Sequence, residues 1–158
     1  MELKKEMPKS DIKIEKASLE DMSRIQDLYT TLTGIRSDKS SMIEVFSTFE
    51  NNEDYYFMVV KLNGYVIATG VGIVFRSLAN NCKSYFVIDN VVVDKDYQHQ
   101  GIGTILLNRL HEIAISNNCC MSYLVADSSN IYACLFYRKL GYTDEVVGFQ
   151  KTLLNNNL

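Results

Sequence analysis

A segment with two closely spaced glycines, residues 98–103, has the composition of an anion-binding loop. The apolar run at residues 85–93 predicts a strand before it, and the amphipathic run at residues 102–116 predicts a helix after it. The first N–H groups of a helix have no partner within the helix, and the helix dipole favours negative charge there. Because Gly101 and Gly103 carry no Cβ atom, a phosphate group can approach the backbone closely. The segment therefore predicts a phosphate-binding site at the start of a helix.

The loop does not fit two common nucleotide-binding patterns, but it resembles a third one. A P-loop requires a Lys-Ser or Lys-Thr pair after the glycines, and this chain has none there. The dinucleotide-binding pattern requires three glycines, and this segment has two. The spacing Gln-x-x-Gly-x-Gly after residues 91–94 resembles the acetyl-CoA loop of the GNAT family of N-acetyltransferases. A second segment is similar to another motif of that family and carries Asn130, Ala133, Tyr137, Gly141 and Tyr142. The resemblance covers residues 84–153 by motif and residues 11–83 only by the pattern of elements.

The resemblance implies that acetyl-CoA is the co-substrate and that its diphosphate binds at the loop beginning with Gln98. The family often has Arg or Lys at positions 98–100, whereas this chain has only Gln and His there. We therefore expect the backbone amides and the helix dipole to be the main anion binders. The amides that the resemblance assigns to the diphosphate belong to Gln100, Gly101, Gly103 and Thr104.

The strand before the loop is expected to contribute through its backbone. The side chains of Val91 and Val93 are core residues by pattern. By resemblance, however, this strand is splayed, so that its amides and carbonyls stay unpaired for the acetyl oxygen and the pantetheine arm. An N–H group aimed at the acetyl oxygen acts as an oxyanion donor. Asn130 is implied to face the pantetheine arm as well, and Asn is also a good helix N-cap.

Tyr137 occupies the position of the family's usual general acid, which would protonate the departing CoA thiolate. A phenol with an ordinary pKa of about 10 is protonated at neutral pH, as a general acid must be. The alternative is a core tyrosine on an apolar helix face. Tyr137 lies two helical turns after Asn130, so both residues are predicted on one face of the helix.

Asp89 interrupts an apolar strand and is the candidate for removing a proton from the acceptor amine. The run at residues 88–93 resembles Ile-Glu-Asp-Val-Val-Val in glucosamine-phosphate acetyltransferases, where the acid lies near the acceptor. An amine must lose a proton before it attacks, and a carboxylate can take it directly or through water. The structural alternative is an exposed strand or loop position. Strand alternation would then place Asp89 and Asn90 on opposite faces.

Cysteine and histidine chemistry is not expected. Cys134 lies three residues before Tyr137, but an acyl-cysteine route needs an activating base and a lowered thiol pKa. The sequence shows neither, so a small buried hydrophobe is the expected role of Cys134. His99 and His111 lack the spacing of a metal site, so no metal is predicted.

The composition describes one acidic domain of 158 residues with 47% apolar residues and a net charge of −3. It has no basic stripe, so nucleic acid is not an expected partner, and residues 65–75, the longest apolar segment, are too short to cross a membrane. No apolar signal peptide is visible, and the adjacent Cys119 and Cys120 suit neither a metal knuckle nor a disulfide. We expect a cytoplasmic protein with reduced cysteines and a small-molecule amine as acceptor. The sequence leaves open whether the protein forms a homodimer.

The pattern of elements predicts an α/β (α+β) GNAT fold in which helices flank a mixed sheet. Residues 1–10 are expected to be a flexible tail, and residues 11–154 the domain. Asn63-Gly64 predicts a hairpin turn, and the glycines at 70 and 72 predict a bend or bulge in a strand. The predicted strands are 11–16, 55–61, 65–75, 85–93, a short buried one at 121–126, and 146–153; the predicted helices are 18–33, 40–49, 102–116 and 130–140.

We interpret the sequence as an acetyl-CoA-dependent N-acetyltransferase in which a primary amine attacks the thioester directly in a ternary complex. One alternative is a sugar N-acetyltransferase of the glucosamine-6-phosphate type, with Arg36 as the phosphate contact. Another is a non-catalytic acyl-CoA-binding module on the same fold. A nucleotide-binding α/β domain is a third, although the second motif speaks against it. The acceptor pocket is expected between the first two helices and the loops after residues 75 and 141, and the sequence does not name the acceptor.

Overall fold

The computed structural model describes residues 12–153, and the chain forms two compact units with their boundary between Leu124 and Val125. The first unit holds all five strands and three of the four α-helices of the described residues. These elements are β1 (Ile12–Lys16), α1 (Met22–Thr33), α2 (Lys39–Phe49), β2 (Tyr55–Leu62), β3 (Tyr65–Phe75), β4 (Ser84–Val93), α3 (Ile102–Ser116) and β5 (Cys119–Leu124). The second unit contains α4 (Ile131–Lys139). The predicted tail at residues 1–10 lies outside the described residues.

The strands form one mixed sheet in the order β1-β2-β3-β4-β5, which confirms the predicted fold class. The pairs β1–β2, β2–β3 and β3–β4 are antiparallel, and β5 runs parallel to β4. The turn between β2 and β3 has positive φ at both Asn63 and Gly64, as a type I′ hairpin turn requires.

Helices cover the two faces of the sheet. A capping box formed by Ser18 and Asp21 precedes α1, and Gly34 ends the helix with a φ of +75°. The core on this face combines apolar side chains of α1 and α2 with strand residues and includes Met22, Ile25, Leu28, Phe46, Phe57, Val59, Val71 and Val92.

The other face of the sheet packs against α3. A Cβ atom at Gly72 would lie 2.2 Å from Cζ of Phe86 and 3.0 Å from Cδ2 of Leu110. Glycine at position 72 is therefore required for the close packing of an aromatic ring and α3 on the sheet.

The predicted closing strand at residues 146–153 is wrong. These residues form no strand and pair with none of the described strands. Apolar content gives a segment strand propensity, but a strand exists only through pairing, and Gly148 inside the run weakens that propensity.

The prediction for β5 is partly wrong as well. The strand begins at Cys119, two residues earlier than predicted, and none of its side chains is buried. It is an edge strand of the described sheet, and Met121 and Tyr123 are exposed. Within residues 12–153, no helix has the length and apolar character needed to cross a membrane.

Candidate active site

A β-bulge interrupts β4 at the position where the sequence combines Asp89 with Asn90. Two residues of β4, Asn90 and Val91, face the single residue Gly70 of β3. Asn90 has a φ of +51°, which places its backbone in the left-handed region. The irregularity predicted at Gly70 is confirmed, and the extra residue belongs to β4.

The bulge decides the face of the sheet on which Asp89 lies. Asp89 pairs with Val71, and Val92 pairs with Thr69. Val71 and Val92 both belong to the core under α1 and α2, so the directly paired Asp89 lies on that face too. In a regular strand, Asp89 and Val92 would lie on opposite faces because they are three residues apart. The side chain of Asp89 is exposed, so its carboxylate is open to an acceptor from solvent.

The pairing of β4 with β5 stops at the same place, because β5 ends there. The pairing of the two strands ends where Ile88 faces Leu124, and no described strand pairs with residues 89–93 on this edge. Leu124 is the last residue of β5, and the splay that the resemblance implies stays a prediction. The side chain of Val91 packs towards α3, because its Cγ2 atom would lie 3.4 Å from a Cβ at Gly70.

An ion pair ties the beginning of the loop after β4 to α1. The Asp94 carboxylate binds Arg24 of α1 and also accepts a hydrogen bond from the Asp96 amide at 3.0 Å. The guanidinium of Arg24 lies 4.7 Å from the ring centre of Tyr65. The sequence does not predict this ion pair, because a single Arg on an amphipathic helix does not indicate which distant residue it contacts.

The two glutamines of the loop hold its backbone in shape. Gln98 donates from Nε2 to the Val93 carbonyl at 3.0 Å, and Gln100 donates from Nε2 to the Asp96 carbonyl at 3.1 Å. Their side chains therefore serve the loop itself, whereas the backbone amides remain the groups that could bind an anion. The carbonyl oxygen of Val93 thus already accepts one hydrogen bond from within the loop.

The N-terminus of α3 has the geometry of an anion site. Gly101 is its N-cap with a φ of +84°, and no side chain caps the first turn at this residue. A Cβ atom at Gly101 would meet no heavy atom within 4 Å, so the space beside this residue is open. Residues 98–104 include neither Lys nor Arg. The loop therefore fits a diphosphate through its amides and the helix dipole.

The second unit contains the other two predicted site residues, both on α4. Asn130 is the N-cap, and its Oδ1 accepts a hydrogen bond from the Ala133 amide at 3.1 Å. Tyr137 is half-buried, with its ring centre 5.2 Å from that of Phe136 and 5.9 Å from that of Tyr142. The N-cap role of Asn130 is confirmed, and its contact with pantetheine stays a prediction.

Cys134 has no general base among the contacts that hold it. Its thiol donates to the Asp127 carbonyl at 3.7 Å, and a carbonyl cannot take the proton away. Among the described residues, no three His, Cys, Asp or Glu side chains are arranged to hold a metal ion.

Comparison with known proteins decides the family. A model of the acetyltransferase (GNAT) family matches residues 21–142, which include the bulge, the loop and α4. The chain belongs to this family. The match extends across the boundary of the two compact units.

Known GNAT proteins resemble this chain in sequence and fold. Streptothricin acetyltransferase A of Bacillus subtilis (strain 168) is 35% identical over 80 residues, which are 51% of this chain and 44% of that protein. Glucosamine 6-phosphate N-acetyltransferase of Candida albicans is 27% identical over 108 residues, 67% of this chain and 70% of that protein. The crystal structure of glucosamine-6-phosphate N-acetyltransferase from Arabidopsis thaliana has the same fold, with a TM-score of 0.79, 23% identity, and coverage of 90% and 98%.

Within the first unit of this GNAT chain, one end of β4 brings the predicted site residues together. The bulge holds Asp89 and Val91, and Val93 leads into the loop at residues 98–104. On α4, Asn130 and Tyr137 share one helix in the second unit. The catalytic and binding roles of all these residues stay predictions.

Proposed function

We propose that this GNAT chain transfers the acetyl group of acetyl-CoA to a primary amine by direct attack in a ternary complex. One observation carries the proposal: β4 has a bulge beside Asp89, and the loop that follows β4 ends at the N-terminus of α3, which no side chain caps. A cofactor bound at the helix would thereby lie along the unpaired edge of the same strand. Placing two reactants side by side supplies a large part of the rate in such a reaction.

The loop would bind the diphosphate through the amides of Gln100, Gly101, Gly103 and Thr104. Acetyl-CoA supplies the acetyl group as a thioester. On the edge of β4 where no described strand pairs with residues 89–93, the backbone N–H of Val91 would stabilise the negative charge that develops on the acetyl oxygen. Val93 and Asn130 would contact the pantetheine arm.

Two side chains would move protons. Asp89 is exposed beside the bulge, where its carboxylate would take a proton from the ammonium form of the acceptor, directly or through water. Tyr137 would donate its hydroxyl proton to the sulfur as it departs. The first transfer makes the amine a nucleophile, and the second makes the thiol a better leaving group.

The proposal is tested by acetyl-CoA calorimetry and by a thiol-release screen over sugars, polyamines, amino acids, aminoglycosides and peptides. We expect saturable binding, and for at least one amine the release of one thiol for each amide formed, with the product identified by mass spectrometry. The N-acetylated form of the same amine is the control and should release no thiol. Binding without turnover of any amine would instead indicate a non-catalytic acyl-CoA-binding module, and absence of binding would contradict both functions.

A second candidate is a sugar N-acetyltransferase of the glucosamine-6-phosphate type, which the relative in Candida albicans and the run at residues 88–93 favour. Arg36 would bind the phosphate. In the structure Arg36 contacts Asp27 at 2.9 Å and Gln26 at 2.7 Å, and its side chain is 58% exposed. Because an exposed ion pair contributes little energy, a phosphate can compete with Asp27.

Two acceptors separate this candidate from other amine acetyltransferases. Glucosamine 6-phosphate should have a much higher kcat/KM than glucosamine, and Arg36→Ala should raise KM for the phosphorylated sugar only. Equal kcat/KM for the two sugars would rule out the phosphate contact while leaving the general proposal intact.

A further inference from the structure

The hydroxyl of Tyr29 is buried in the protein without a hydrogen-bond partner. Tyr29 lies on α1, where its ring stacks on Phe57 with a centroid separation of 6.3 Å and an interplanar angle of 5°. Among residues 12–153, its Oη is the one buried side-chain nitrogen or oxygen that lacks a partner. The nearby Thr69 hydroxyl donates to the Met58 carbonyl at 3.0 Å.

An unpaired buried hydroxyl is unfavourable for folding, because it loses its hydrogen bonds to water and gains none in return. The ring of Tyr29 already supplies the packing against Phe57, and a phenylalanine would supply the same packing. A hydrogen-bond partner for the hydroxyl would therefore be favourable, and residues 12–153 provide none in hydrogen-bond geometry.

The position of Tyr29 indicates which group that partner is. The ring packs against the core cluster that contains Val71 and Val92, the strand residues on either side of the bulge. Asp89 pairs directly with Val71 on the same face of the sheet, and α1 packs on β4. Tyr29 thus packs under the same face of the sheet as Asp89, close enough for the charge of Asp89 to act on its phenol.

The electrostatics of the phenol agree with this position. Burial raises the pKa of Tyr29 well above its usual value; the Thr69 hydroxyl opposes this shift, and the negative charge of Asp89 adds to it. Tyr29 consequently keeps its proton, so its hydroxyl can act as a hydrogen-bond donor throughout the neutral pH range.

We propose that Tyr29 positions Asp89 for catalysis, its hydroxyl donating to one carboxylate oxygen while the other oxygen faces the acceptor amine. The inference rests on the proposed function, because it requires Asp89 to take the amine proton. That proton goes to the free oxygen of Asp89 or to a water bound there, and Tyr29 retains its own. A hydrogen bond to a carboxylate is among the stronger ones in proteins, so it would fix the carboxylate in place.

Tyr29→Phe separates this role from a structural one. Because the hydroxyl has no partner in the free protein, the variant should have an unchanged or higher Tm, and its Kd for acetyl-CoA should not change. Its kcat should fall about tenfold to a hundredfold, the range for a hydrogen bond to a charged group. The matched control is Tyr56→Phe, which removes a real hydrogen bond from Oη to Asn117 at 3.2 Å and should lower Tm without changing kcat.

A double-mutant cycle with Asp89→Asn tests whether Tyr29 acts through Asp89. If it does, the Tyr29→Phe/Asp89→Asn variant should be no slower than Asp89→Asn alone. Wild-type kcat in Tyr29→Phe, additive losses in the double variant, or a Tm loss like that of Tyr56→Phe would each overturn the proposal. Each of these outcomes is seen with a wild-type enzyme that is active. If the wild type acetylates no amine, the proposed function itself fails, and the proposal for Tyr29 fails with it.

Discussion

Tyr137 has two aromatic neighbours, with ring centres 5.2 Å (Phe136) and 5.9 Å (Tyr142) from its own, and a phenylalanine ring at this position keeps both contacts. Tyr137→Phe should keep the acetyl-CoA affinity of the wild type, because only the proton for the leaving sulfur is lost. Turnover should fall about 10²–10⁴-fold, the usual contribution of a general acid. Calorimetry and steady-state kinetics check the two halves of this prediction.

The control for Tyr137 lies on the same helix. Tyr132 is 82% exposed, and Tyr132→Phe should leave both affinity and turnover unchanged. If Tyr137→Phe also turned over at the wild-type rate, the departing thiolate would have to take its proton from another group or from water.

Asp89 should show its role in the pH dependence of the rate. Asp89→Asn should depress turnover at neutral pH, because the amine then arrives mostly as ammonium and has no carboxylate to receive its proton. Raising the pH should restore activity, since a growing share of the amine is already neutral. Acetyl-CoA affinity should not change, because the proposed cofactor contacts are main-chain ones. A rate–pH profile that overlays the wild-type one would assign Asp89 a structural role.

The residue types of the candidate site could be predicted from the sequence, but the direction of Asp89 could not. Period-two alternation places Asp89 and Val92 on opposite faces, and the bulge at Asn90 brings both to the face under α1. A bulge in β4 depends on Gly70 of another strand, so it has no local signal in residues 88–93. For the same reason the sequence did not single out Tyr29, which looks like one more apolar position on α1.

The loop and α3 act as one element, and Gly101 determines its shape. With a φ of +84°, position 101 strains any residue that has a Cβ atom, and a β-branched one most. Gly101→Val should therefore abolish acetyl-CoA binding in calorimetry, while circular dichroism shows the fold to be intact. Unchanged affinity would mean that the diphosphate binds elsewhere.

Gly64 offers a matched control for the loop. It has a φ of +80°, and a Cβ atom there would also meet no heavy atom within 4 Å, but it lies in the hairpin between β2 and β3. Gly64→Val introduces comparable backbone strain away from the loop. It should lower stability to a similar extent and leave the Kd for acetyl-CoA unchanged.

The bounds of β1, β2, β3 and β4 were predicted to within one residue, whereas β5 and the segment at residues 146–153 were not. The bounds of β3 and α3 agree with the periodicity, since a hairpin turn and a glycine loop delimit them. The segment at residues 146–153 has the apolar content of a strand but no partner, and β5 is an exposed edge strand. Composition cannot tell a paired strand from an unpaired apolar segment.

At the scale of the whole molecule, net charge does not help to attract the cofactor. The chain carries −3, and residues 98–104 contain no Lys or Arg, whereas the proposed ligand is an anion. We therefore expect binding to come from short-range contacts with the amides at the start of α3, rather than from the field of the protein.

The surroundings of the Cys134 thiol bear on the order of the reaction steps. Cys134 lies on α4 and donates its thiol proton to the Asp127 carbonyl, which cannot take the proton away. Without a base to form the thiolate, an acetyl-cysteine intermediate is not expected. The two substrates should instead bind together, so double-reciprocal plots at several acetyl-CoA concentrations should intersect.

Cys134→Ala makes this prediction specific. The variant should retain turnover within about twofold of the wild type, as should Cys120→Ala, a half-buried cysteine of the first unit used as the control. Incubation with acetyl-CoA alone should leave the mass of the intact protein unchanged, because no step transfers the acetyl group before the amine arrives. A stable acetyl adduct that maps to Cys134, together with parallel double-reciprocal lines, would establish a covalent route. In that case Asp89 and Tyr29 would act only on the second half-reaction, and their substitution should leave formation of the adduct unaffected.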